Sequence, residues 1–170
     1  HISFNTRPKL VERTIIASSF GKSLHVTGWK VGYLIAHENL MCEMKKVHQF
    51  LVFSVNSFSQ HAISEYLDVV DFSEVSKMYQ HKRDLFQNLI NDSRFELMPC
   101  DGTYFQVVNY NQISSKNDVD FAKELIVNHG VASIPISVFY NVSTDRHMLR
   151  FCFAKTDETL IAAAEKLNQI

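Results

Sequence analysis

The stretch SSFGKSLHVTGWKVGY, residues 18–33, places one lysine behind a glycine in a Ser/Gly turn and a second lysine eight residues later. Lys22 has no acidic neighbour in this stretch and lies between two apolar, strand-like runs, RTIIASS (13–19) and VGYLIA (31–36). A lysine becomes a nucleophile when burial or a nearby cation favours its neutral amine. The small residues Ser18, Ser19, Gly21 and Ser23 leave room for a ligand and offer hydroxyl and backbone N–H donors. Lys30 adds a fixed positive charge suited to a phosphate. One reactive amine with one anion anchor is the equipment that a phosphorylated aldehyde needs. The same residues also read as two solvated loop lysines, because S-x-x-K recurs by chance.

A second candidate stands near the end of the chain. Arg150 lies within HMLRFCFA (147–154), an otherwise apolar strand-like run. A charge there is costly unless it is paired. The planar guanidinium suits a carboxylate bidentately, and that carboxylate is either a ligand's or a protein acid's. Tyr104 and Phe105 in GTYF read equally as core aromatics and as pocket walls. His25 and Trp29 line the lysine loop or simply pack.

Composition narrows what these residues can serve. A 46% apolar share is enough for a packed core. Net charge is −1 with the signs interleaved, which argues against a nucleic-acid footprint or an acidic membrane surface as partner. No run of apolar residues is long enough to span a bilayer, so no membrane partner is expected. Cys42, Cys100 and Cys152 are far apart and form no CxxC pair, which suggests free thiols in a reducing cytoplasm. The eight histidines show no HxxxH or HExxH spacing, so no metal site is expected. The first ten residues, HISFNTRPKL, carry neither an initiator Met nor a signal pattern, and the chain reads as a segment that starts within a fold.

The elements that must position the candidates follow from periodicity. RTIIASS and KVGYLIA read as buried strands. Residues 38–51 carry Leu40, Met44, Val47 and Leu51 at helical spacing. Ser57 and Gln60 suggest a capping box for the next helix. Residues 71–91 form the longest predicted helix, a bridge between two parts, with Phe72, Val75, Met78, Lys82, Leu85, Phe86 and Leu89 on one stripe. RFELMP and GTYFQVVNY read as a hairpin around Asp101-Gly102. A helix over 118–129 should stop at Gly130. VASIPIS and HMLRFCFA then read as strands, and residues 156–170 as a closing helix capped by Thr156 or Asp157. Strands alternate with helices long enough to cover a sheet, which is an α/β pattern.

The lysine stretch resembles the signature of class I aminotransferases, the fold type I enzymes that use pyridoxal 5′-phosphate. The resemblance continues through KVHQFLVFSVNSFSQ, LMPCDGTYF, HGVASIPISVFY and LRFCFAK, in order along the chain, and is nearest the methionine and kynurenine aminotransferase subgroup. It implies that Lys22 condenses with the cofactor aldehyde, that Ser19 and Lys30 bind its phosphate, and that Arg150 grips the substrate α-carboxylate. Phe139 and Tyr140 fall where the family places part of the substrate pocket. Residues 1–70 would close the large cofactor domain, residues 71–170 would form the small α/β domain, and the family's remaining cofactor contacts would lie upstream of His1. The implied activity moves an amino group from methionine, an aromatic or another apolar amino acid to a 2-oxo acid, in a cytoplasmic homodimer. A carbon–sulfur β-lyase would use the same residues. A noncatalytic remnant domain is the third reading, and the intact Lys22, Lys30 and Arg150 argue against it.

Overall fold

The structure is a computed structural model that describes residues 2–142 and 144–170. The chain divides into two units, His1–Val70 and Asp71–Ile170.

The first unit is built around a two-stranded antiparallel ribbon, β1 (Ile15–Ser19) and β2 (Gly32–Ala36), in which Ile15 pairs with Ala36 and Ser19 with Gly32. A single helical turn, α1 (Phe20–Ser23), leaves the end of β1, and a 3₁₀ turn, Thr27–Trp29, leads back toward β2. Two helices follow, α2 (Glu38–Leu51) and α3 (Ser57–Leu67). The core of this unit is small: Leu24, Val31 and Ile63 are buried, with Phe20, Val26, Val55 and Val70 packed around them. The strands are not buried as their composition predicts: Ile15, Leu34 and Ile35 are each between 45% and 49% exposed. Continuous apolar strands suit a sheet covered on both faces, and a lone ribbon does not supply that cover. The cap of α3 also differs from the predicted capping box. Asn56, one residue earlier, accepts from Ser59 N–H at 2.9 Å, and Gln60 donates back to the Val55 carbonyl instead.

The second unit is a four-stranded antiparallel sheet in the order β3-β4-β6-β5, formed by β3 (Glu96–Leu97), β4 (Phe105–Asn109), β5 (Ile134–Pro135) and β6 (Met148–Cys152). Its helices are α4 (Phe72–Ile90), α5 (Asp118–Glu124) and α6 (Asp157–Leu167). One face of the sheet presents Val108, Leu149 and Phe151 to a core that includes Phe86, Ile90, Phe121, Leu125 and Leu160. Gln106 sits on that face too, and it is satisfied: its amide donates to the Met98 carbonyl and accepts from Gln87. Asp71 caps α4 through Ser73 N–H, and Thr156, rather than Asp157, caps α6 through Thr159 N–H. Lys82 on α4 reaches Asp157 on α6 at 2.5 Å.

Three local departures have physical causes. Of the stripe on α4 only Phe86 is buried; Val75, Lys82, Leu85 and Leu89 are half-buried and Phe72 and Met78 exposed, because the core lies under the second half of the helix, where Phe86 and Ile90 enter it. The β3–β4 hairpin forms, but its connection spans residues 98–104, and Thr103 rather than Gly102 takes the left-handed backbone at φ 70°. After α5 the helix widens into a π-helical segment, Leu125–His129, before Gly130 ends it at φ 64°. The Gly130 and Val131 N–H groups return to the Ile126 and Leu125 carbonyls, which satisfies the end of the widened helix. Among the described residues no helix is long and apolar enough to cross a membrane.

Candidate active site

The lysine loop is shaped by close backbone approach. An added Cβ on Gly32 would lie 2.4 Å from the Ser18 carbonyl oxygen, so the β1–β2 register that carries Ser19 requires glycine there. A Cβ on Gly21 would meet Thr27 Cα at 3.0 Å and Ser19 Oγ at 3.2 Å. Thr27 Oγ1 donates to the Gly21 carbonyl at 2.9 Å, which ties α1 to the returning 3₁₀ turn. Phe20 N–H donates to the Val31 carbonyl at 3.1 Å and closes the loop at its base. Buried Leu24 and Val31 pin the loop to the small core. His25 and Lys30 both take left-handed backbone, at φ 59° and 57°, so the chain reverses sharply on either side of the 3₁₀ turn. Ser19, Lys22 and Lys30 share this one loop, and none of them is buried.

The second unit builds the arginine site. Arg150 occupies the centre of β6, paired with Val107 of β4 and Ile134 of β5. Its neighbours Leu149 and Phe151 point into the core, so strand alternation sends Arg150 to the opposite face of the sheet. Its guanidinium carbon lies 4.4 Å from the Phe105 ring centroid and 5.0 Å from that of Phe139. No described acid lies within ion-pair distance of it. The arginine is therefore held by two aromatic rings rather than by a carboxylate. The sequence left open whether a ligand or a protein acid pairs it, and the described acids do not.

A groove of about 730 Å³ lies beside Arg150, walled by Phe105, Tyr104 and α6 and flanked by Lys155 and Lys166. Ser133 also lines it; its Oγ is buried with no hydrogen-bond partner among the described residues. Tyr104 stands one step from the arginine: its ring packs edge-on against Phe105 at 5.6 Å and lies 6.3 Å from Tyr79, whose phenol burial pushes above its ordinary value.

The predicted site residues thus fall into two groups. Ser19, Lys22 and Lys30 share the loop of the first unit. Phe139 and Arg150 meet in the second, with Tyr104 next to Phe105. Residue type alone did not single out Lys155, Lys166 or Ser133; the sequence placed Ser133 within the strand-like run VASIPIS, of which only Ile134–Pro135 forms a strand.

The pattern that defines aminotransferase class I and II matches residues 2–167. Methionine aminotransferase of Escherichia coli is 45% identical over the whole of this chain, which covers 45% of that protein. A crystal structure of an Escherichia coli protein with methionine aminotransferase function superposes with a TM-score of 0.96, again over 100% of this chain and 45% of the other. Kynurenine–oxoglutarate transaminase of Dictyostelium discoideum is 32% identical over 100% of this chain and 44% of its own length. N-Succinyldiaminopimelate aminotransferase from Mycobacterium tuberculosis is 28% identical, with a TM-score of 0.89 over 99% of this chain and 45% of the other. The fold and the loop define an α/β aminotransferase-type chain. It belongs to the class I and II aminotransferases, and it spans about 45% of the length of the relatives it matches.

Proposed function

We propose that this chain supplies the C-terminal portion of a pyridoxal-phosphate-dependent aminotransferase. In it, residues 1–70 close the cofactor domain and residues 71–170 form the small domain. The observation that carries the reading is Arg150, a cation on a central strand with two rings around it and no described acid beside it. Such a group is ready to receive a carboxylate from outside the protein.

The residues of the loop fit the cofactor. They offer one primary amine, one hydroxyl and one ammonium, on a loop whose Gly32 admits no side chain and whose Gly21 leaves little room for one. Pyridoxal phosphate supplies, when bound, an aldehyde that condenses with amines and a ring that withdraws electrons. Lys22 would hold it through Nζ, and Ser19 Oγ and Lys30 Nζ would hold its phosphate. The Lys22 amine would take a proton from the substrate Cα as general base and return one as general acid. Arg150 would hold the substrate α-carboxylate through its two-point guanidinium fork. Tyr104 and Phe139 offer aromatic surface to a substrate side chain, which favours methionine, aromatic or other apolar amino acids, with a 2-oxo acid as amino acceptor. The relatives' names, methionine aminotransferase and kynurenine–oxoglutarate transaminase, point the same way.

A homodimer fits the surface of the first unit, where Phe50, Phe53 and Phe58 are each at least 84% exposed. The three free cysteines fit a reducing cytoplasm. The test is borohydride reduction of the full-length protein loaded with pyridoxal phosphate, followed by peptide mass spectrometry. The cofactor's mass should appear on the peptide that holds Lys22. Its attachment elsewhere, or nowhere, overturns the reading.

A further inference from the structure

Asp118, the first residue of α5, is 1% exposed, and no described cation lies within ion-pair distance of it. Both of its carboxylate oxygens are nevertheless used. Ser137 N–H donates to Oδ2 at 2.7 Å, and Ser137 Oγ donates to Oδ1 at 2.6 Å. A carboxylate in a dry site is costly unless it is hydrogen-bonded, so these two short, charge-assisted bonds hold each other in place.

Ser137 opens the 3₁₀ turn Ser137–Phe139, and Phe139 is one of the two rings against the Arg150 guanidinium. The Phe139 side chain is 57% exposed. Packing does not place so exposed a ring; the backbone of its turn does. That backbone is tied at four points: Ile136 N–H to the Met148 carbonyl of β6 at 3.2 Å, Phe139 N–H to the Ile136 carbonyl at 3.1 Å, Tyr140 N–H to the Ser137 carbonyl at 3.1 Å, and Ser137 to Asp118. Only the last of these anchors the turn to another element through side chains. Phe105, the other ring at Arg150, needs no such device, because it sits on β4 directly within the sheet.

We propose that Asp118 and Ser137 form a buried latch that positions Phe139 against Arg150. The latch thereby sets the enzyme's affinity for the substrate carboxylate. Asp118 and Ser137 are positioning residues and touch no substrate. The proposal rests on the reading of Arg150 as the carboxylate receptor. When the latch is cut, the turn loses its anchor, the Phe139 ring leaves the guanidinium, and the arginine samples rotamers that do not face the carboxylate.

The test uses the full-length holoenzyme with Ser137→Ala, Asp118→Asn and Arg150→Lys, and with Lys123→Ala on the exposed side of α5 as the neutral control. KM and kcat are measured for an amino acid, its 2-oxo acid partner and the matching amine that lacks the carboxylate, together with the melting temperature. Ser137→Ala and Asp118→Asn should each raise KM for the two carboxylate substrates about tenfold, as a small misplacement of a positioning group does, and leave the amine's constants unchanged. Ser137→Thr, which keeps Oγ, should restore the KM. If Ser137→Ala fails to fold, the isosteric Asp118→Asn carries the test alone. If Arg150→Lys raises KM while both latch variants leave it unchanged, the latch is wrong and the Arg150 reading stands. Equal loss on acid and amine, which a merely structural role produces, also overturns the latch. If Arg150→Lys itself leaves the preference for carboxylates intact, the underlying reading of Arg150 fails.

Discussion

The two units solve the problem of presenting a cation in opposite ways. The second unit has a deep core of its own: Ile90, Val108, Tyr110, Leu125 and Leu149 are completely buried, and Arg150 rides on a strand whose other face is packed into that core. Among the described residues of the first unit, the buried hydrophobic side chains are Leu24, Val31 and Ile63 alone, and apolar residues of both strands are open. Its lysines are held instead by backbone geometry: a ribbon in tight register, two positive-φ residues and a threonine bond across the loop. Side-chain packing fixes the arginine, whereas main-chain contact over the small Leu24 and Val31 core fixes the lysine loop. The two sites should therefore fail for different reasons when they are mutated.

The largest effect should come from a residue whose loss costs little packing. Lys22 lies outside both buried cores, so Lys22→Ala should leave the fold of the full-length protein intact. Transamination should nevertheless fall at least about 10²–10⁴-fold, the range that a positioned acid–base group contributes. Steady-state turnover and circular dichroism on the same sample check both halves; normal turnover by the folded variant would sink the assignment.

The next effect separates the two cores. Leu149 is 0% exposed and sits next to Arg150, so Leu149→Ala should cost about 2–5 kcal/mol in urea unfolding of this chain. Leu34→Ala, at a residue 45% exposed in the first unit, should stay within about 0.5 kcal/mol. Equal losses at the two positions would show that the first unit is packed more tightly than its exposure indicates.

Within the first unit, backbone approach should outweigh side-chain loss. Gly32→Ala puts a methyl 2.4 Å from a carbonyl oxygen, and the ribbon must shift to relieve it. A cost of about 1–3 kcal/mol is expected, as for other overpacked sites, together with weaker retention of pyridoxal phosphate because Ser19 moves with the strand. Gly28→Ala adds its methyl to open space and should change neither quantity. Thermal melts and cofactor titration of the pair decide it.

The contrast also explains what was legible in the sequence. The helices at 38–51 and 72–90 were readable because each carries its own period, and Asp71 caps the second. The strands were readable as strands from their β-branched runs. Their burial was not, because exposure depends on what covers a ribbon and not on the ribbon's own residues. Arg150 stood out because a charge inside an apolar strand violates a local rule. Its two rings come from positions 45 and 11 residues away in sequence, a juxtaposition that only the sheet register creates. The Asp118–Ser137 bond was invisible for the same reason: each residue alone reads as a helix start or a turn residue. In the lysine loop the motif named the residues, but the need for glycine at 32 appears only when β1 and β2 are paired.

The smallest expected effect is electrostatic and belongs to the second unit alone. Asp157 at the start of α6 accepts from Lys82 of α4, and His81 lies 3.2 Å from its other oxygen. The hydrogen bond from Lys82, then that from His81, holds the Asp157 carboxyl below its ordinary value of 3.8. A carboxylate whose folded pKa is depressed adds stability that is fully present above its unfolded value. That stability is lost as pH falls through the folded one. Asp157→Asn lacks the contribution at every pH. The melting temperatures of the two proteins should therefore differ by a small, constant amount at neutral pH. The gap should begin to close as pH drops below about 3.8 and vanish only below the depressed folded value, where the wild-type carboxyl is neutral in both states. The pair is partly exposed, at 18% and 41% for the two side chains, so added salt should narrow the gap as well. A gap that persists in acid would mean that the amide introduced by Asp157→Asn disturbs the start of α6 rather than the ion pair, and a gap that widens in acid would reverse the sign of the linkage.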